Sequence, residues 1–106
     1  MREVDLATFA IRHRDGAVVI DVREPFEYVT GHVPGAEPIP LARLATRTGD
    51  LPRDVPVYVI CASGNRSLAA ADLLHRAGID AWSVAGGTAA WQRAGHPVVH
   101  GRRAAI

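Results

Sequence analysis

Apolar residues follow two rhythms along this 106-residue chain. Residues 17–22, 55–60 and 81–85 are short, nearly unbroken apolar runs rich in β-branched side chains, the pattern of strands covered on both faces. Between them the spacing is helical. Residues 5–14 set Leu6, Phe9 and Ala10 behind Asp5, which predicts a short helix capped by that aspartate. Residues 67–77 carry Leu68, Ala71, Leu74 and Ala77 at helical spacing and stop at Gly78; residues 88–94 predict a last helix ended by Gly95. Pro25 opens a short helix over 25–30, and Gly31-His32-Val33-Pro34-Gly35 reads as a loop. Residues 36–40 form a brief extended piece broken by Pro38 and Pro40, and 41–45 a helical piece before Gly49-Asp50. Strands alternating with short helices predict an α/β sandwich around a mostly parallel sheet, one domain with its core over about 4–99. The tail 100–106 is expected to fray. In such sheets the functional crevice lies beyond the carboxyl ends of the strands, where both Asp21 and Cys61 fall.

Composition removes several alternatives. At 48% apolar and 22% charged residues the chain is ordinary for a globular domain. No apolar run approaches the roughly 20 residues of a membrane span. The start, Met1-Arg2-Glu3-Val4-Asp5, lacks the pattern of a secretory signal. One cysteine excludes an internal disulfide, a thiol-based zinc site and an internal resolving thiol, and it fits a reducing, cytoplasmic setting. All twelve basic residues are arginine, so Schiff-base chemistry and a P-loop lysine are out. The net charge of +1 is spread evenly, which gives no support to nucleic-acid or membrane binding.

The chemistry concentrates at Cys61. It ends the run Val57-Tyr58-Val59-Ile60 and is followed by Ala62-Ser63-Gly64-Asn65-Arg66-Ser67 and a helix. Strand, polar loop and helix in that order aim loop N–H groups and the positive helix end at one sulfur. An unperturbed thiol titrates near about 8.5, and lowering it two units takes roughly 2.7 kcal/mol of preference for the anion. A helix N-terminus and several convergent N–H groups are of the right size to supply it. Gly64 permits the positive-φ turn this needs, and Arg66 adds a positive charge able to grip an anion. A small buried hydrophobe closing a strand is the bland alternative for a free cysteine.

Taken with Asp21-Val22-Arg23-Glu24, Glu27-Tyr28, Gly31-His32-Val33-Pro34-Gly35-Ala36, Gly86-Gly87-Thr88-Ala89-Ala90-Trp91 and Gly95-His96-Pro97-Val98, this loop resembles the rhodanese family. The resemblance spans residues 4–99. It implies a three-layer α/β/α fold with a five-stranded, mainly parallel sheet, and sulfur transfer without metal or organic cofactor. It further implies that Cys61 attacks the outer sulfur of thiosulfate or a related donor, and that the resulting persulfide passes to cyanide or a thiol acceptor, small or protein-borne. On the same resemblance, backbone N–H groups from Ala62, Ser63, Gly64, Asn65, Arg66 and Ser67 cradle the sulfur, and Arg66 holds the anionic end of the donor.

The remaining motif residues read more plainly. Asp21 and Arg23 are candidates for supporting the site, but a structural role fits better, Asp21 bonding loop backbone and Arg23 pairing with Glu27 or Glu24. His32 is a third supporting candidate, although a ring bonded to backbone suits its turn better than a general base. Gly86-Gly87 reads as close packing beneath the active loop and Trp91 as core. His13, His75, His96 and His100 have no metal-ligand spacing.

Two rival classes remain. Dual-specificity phosphatases and arsenate reductases of related fold carry five residues between cysteine and arginine, closing the loop around a tetrahedral oxyanion; here four intervene, Ala62 to Asn65. A rhodanese-like regulatory or interaction module is the other. Mercaptopyruvate as donor fits poorly, because that branch resembles a different pattern at Ala62 and Asn65.

Overall fold

In the computed structural model, which describes residues 2–103, the three apolar runs become the three central strands of a five-stranded sheet. The elements are β1 (Glu3–Val4), α1 (Leu6–Arg14), β2 (Val18–Asp21), α2 (Pro25–Tyr28), β3 (Glu37–Pro38), α3 (Leu41–Leu44), β4 (Val57–Ile60), α4 (Asn65–Arg76), β5 (Ala81–Val84) and α5 (Gly87–Arg93). The strand order is β1-β5-β4-β2-β3, and every pairing is parallel.

Strand alternation divides the core into two layers. Ile20, Val22, Val57, Val59, Cys61 and Ala81 share one cluster with Leu44 of α3 and Ala70, Ala71 and Leu74 of α4. Val19, Tyr58, Ile60 and Val84 share the other with Phe9 of α1 and Trp91 of α5. The result is the α/β sandwich that the alternation predicts, in the three-layer α/β/α form that the resemblance implies, with Cys61 directed to the α4 side.

The boundaries differ from expectation in three informative places. Glu3–Val4 pairs with Ser83 and Val84, a two-residue strand with too little sequence to show a period. Helix α4 begins at Asn65, two residues earlier than its apolar spacing predicts, because Gly64 caps it at φ +108° and Asn65 and Arg66 occupy its polar first turn. The start of the expected tail is hydrogen-bonded to the fold. Val99 and His32 exchange backbone hydrogen bonds of 2.8 and 2.9 Å, and the Gly101 N–H bonds Val29 O at 3.0 Å. The rest of the expected frayed tail, 104–106, lies outside the described residues.

Candidate active site

The loop after β4 is shaped by two helix starts. At α4, Gly64 turns the chain so that its own N–H lies 3.1 Å from Cys61 Sγ and the Ser67 N–H 3.4 Å from it. Ser67 Oγ is also 3.4 Å from the sulfur, placed to donate once the sulfur is ionised. At α5, the Thr88 N–H and hydroxyl donate to Cys61 O at 2.8 and 3.0 Å, and the Ala89 N–H donates to Ala62 O at 3.0 Å. The second helix therefore draws the loop carbonyls away from the sulfur and leaves N–H groups facing it. Gly87 makes this contact possible: a Cβ there would lie 2.5 Å from Cys61 O and 2.6 Å from Ala62 O. That is the close packing beneath the loop that Gly86-Gly87 predicts.

Cys61 is almost wholly buried. Burial pushes its thiol upward, but the Ser67 hydroxyl and the N–H groups of Ser67, Gly64 and Ser63 outweigh it and hold the thiol below its ordinary value. Of the predicted cradle, Gly64, Ser67 and Ser63 act on the resting sulfur. Ala62, Asn65 and Arg66 shape the loop and its rim.

Arg66 is not a free cation. Its two terminal nitrogens donate to Glu27 Oε1 and Oε2 at 2.7 and 2.9 Å. The Arg66 hydrogen bonds hold the Glu27 carboxyl down at about 2, below its ordinary 4.5, and the carboxylate in turn raises Arg66. Glu27 Oε1 also accepts the Glu24 N–H at 3.0 Å, closing a capping box on α2.

The pairing expected of Arg23 is thus corrected. Arg23 binds neither Glu27 nor Glu24 but Asp21, at 2.8 Å through Nη2, and donates to Gly31 O at 2.9 Å. Residues 21 and 23 project to the same side of an extended chain, so the nearest carboxylate wins. Asp21 in turn accepts the Arg23 N–H at 3.0 Å, and both residues are buried. Neither presents a free group to the loop. His32 is buried as well, with Nδ1 2.9 Å from Tyr28 O and Nε2 2.8 Å from Arg103 O, and its ring stacks on Tyr28. It ties α2 to the end of the chain.

Two contributors are missing from the sequence-based set. Glu27 is one: it stands among the motif residues and as a possible partner of Arg23, but nothing in the sequence joins it to Arg66. Ser83 is the other: its Oγ lies 2.7 Å from Ser67 Oγ, a polar residue inside the buried run of β5. A surface hollow at the other end of the sheet, lined by Arg12, Val18, Val55, Pro56 and Tyr58, holds none of these groups.

A buried thiol under convergent N–H donors, at the carboxyl edge of a parallel sheet, is an arrangement suited to nucleophilic chemistry at sulfur. Residues 7–94 match the family described as the Rhodanese-like domain, and the chain belongs to that family. It is 35% identical to the uncharacterized protein slr1261 of Synechocystis over 91% of this chain, but spans only 54% of that protein's length. To the thiosulfate sulfurtransferase GlpE of Pseudoalteromonas translucida it is 33% identical, over 82% of this chain and 84% of that protein. Among solved structures, a rhodanese-related protein from Thermoplasma volcanium superposes with a TM-score of 0.87 at 37% identity, over 93% of this chain and 98% of the other.

Proposed function

We propose that this protein is a sulfurtransferase that carries sulfane sulfur as a persulfide on Cys61. The observation that carries the reading is the pair of N–H donors from Gly64 and Ser67 on the Cys61 sulfur, with the Ser67 hydroxyl in reach to donate once the sulfur is ionised. The thiolate attacks the outer sulfur of thiosulfate, the S–S bond to the sulfonyl sulfur breaks, and sulfite leaves with the electron pair. Cys61 then bears the second sulfur as an anion, over the donors that stabilised the thiolate. A thiolate or cyanide attacks that outer sulfur and returns Cys61 as thiolate. No general base is required, since every attacking group is already an anion. With one cysteine in the chain, the acceptor must come from outside.

Family membership and the likeness to GlpE support this activity, and the four-residue spacing from Cys61 to Arg66 favours a single sulfur over a phosphate. No helix among the described residues is long and apolar enough to cross a membrane, and a lone reduced thiol fits the cytoplasm. The test is intact mass after incubation with thiosulfate or glutathione persulfide. The protein should gain one sulfur, lose it to cyanide as thiocyanate, and gain nothing as Cys61→Ser. Unchanged mass with every donor would favour a binding role, and aryl-phosphate hydrolysis without thiocyanate release would favour a phosphatase.

A further inference from the structure

The Arg66–Glu27 pair has an effect on donor choice. Glu27 is tethered twice, to Arg66 through two hydrogen bonds and to its own helix through the Glu24 N–H. With Glu27 23% exposed and Arg66 38%, the pair sits half in solvent at the rim. Arg66 lies close enough to Cys61 for the ionised sulfur to add to its raised affinity for a proton. The second cation nearby, Arg23, is cancelled by Asp21. These four side chains sum to zero charge, so between them they offer an arriving anion no net attraction toward the thiolate. Glu27 cannot swing aside for an anion without giving up three hydrogen bonds.

We propose that Glu27 sets the charge preference for the sulfur donor: by holding Arg66 in a neutral pair at the rim, it favours singly charged sulfane donors over dianionic thiosulfate. This deepens the sulfurtransferase reading and rests on it for the donor. An alkyl thiosulfonate carries the same sulfane–sulfonyl bond as thiosulfate with one charge fewer. Thiolate attack on it leaves the persulfide and expels a sulfinate with the electron pair.

Glu27→Gln isolates the charge. The amide oxygen can still accept from the Glu24 N–H and one Arg66 N–H, while its NH₂ faces the other guanidinium nitrogen and frees that side. Two competitions read the effect. The first uses iodoacetate and iodoacetamide on Cys61, an anion and a neutral reagent of one chemistry, and does not depend on sulfur transfer. The second compares persulfide loading from thiosulfate and methanethiosulfonate. In Glu27→Gln the iodoacetate-to-iodoacetamide and thiosulfate-to-methanethiosulfonate rate ratios should each rise about tenfold at low ionic strength and shrink several-fold near ~0.5 M salt. Glu27→Asp, which keeps the charge, should stay near wild type. Unchanged alkylation ratios in Glu27→Gln, or an equal rise in Glu27→Asp, would overturn the proposal. Should the alkylation ratio rise while neither donor loads sulfur onto wild type, the sulfurtransferase reading fails and the electrostatic role of Glu27 stands.

Discussion

At the scale of single residues, the thiol of Cys61 is decided by a contest between burial and a few hydrogen bonds. Ser67 contributes to the winning side twice, through its N–H and its hydroxyl. Ser83 supports that hydroxyl from below, 2.7 Å away. A hydrogen bond to a charged group is worth about 1.5–3 kcal/mol, so Ser67→Ala should move the midpoint of Cys61 alkylation up by about one pH unit or more. Below that midpoint the rate falls as the sulfur protonates, so the variant should be slower at neutral pH and equal to wild type well above both midpoints. A pH profile of iodoacetamide labelling checks it, with Ser67→Thr expected near wild type. Cys61, Gly64 and Ser67 are legible in the sequence because they are local: strand, turn and helix follow one another within seven residues. Glu27 is not, because it lies 39 positions from Arg66 and the pair exists only once α2 and α4 meet. The sequence offers Arg23 three carboxylates and no geometry to choose among them.

At the scale of elements, the start of α5 shapes the loop after β4 without touching the sulfur. Gly87→Ala should therefore do more than strain the backbone. Its φ of +59° costs a side chain about 1–2 kcal/mol, and the collision with the Cys61 and Ala62 carbonyls adds about 1–3 kcal/mol. Gly35, at φ +83° with open space around it, should show the first cost alone. Denaturant midpoints of the two alanine variants separate the contributions, and only Gly87→Ala should also slow Cys61 labelling at neutral pH. Of the elements themselves, those whose apolar residues cover a full period are plain in the sequence, as β2, β4 and α4 are. The weakly periodic β1 is held by its partner β5 rather than by anything in Glu3 or Val4. The polar first turn of α4 escapes an apolar count because its start is a backbone event at Gly64.

For the whole molecule, the parallel order puts every strand's carboxyl end on one edge, which is why alternation alone locates the site. The chain then comes back to that edge. Removing residues 99–106 would delete the two Val99–His32 backbone bonds, the Gly101–Val29 bond and the His32–Arg103 contact. At about 0.5–1.5 kcal/mol each, the loss should be about 2–6 kcal/mol by denaturant titration, and an unmoved midpoint would show that this return contributes no stability. The same path decides which end of the polypeptide can be handled freely. The front of β1 lies at the outer border of the sheet and opposite the Cys61 loop, whereas Arg102 borders Pro25, Tyr28 and Val29 beside the helix that carries Glu27. A dye, tether or fused protein attached ahead of residue 2 hangs clear of incoming small molecules. The same cargo held at Arg102 sits against the helix that carries Glu27.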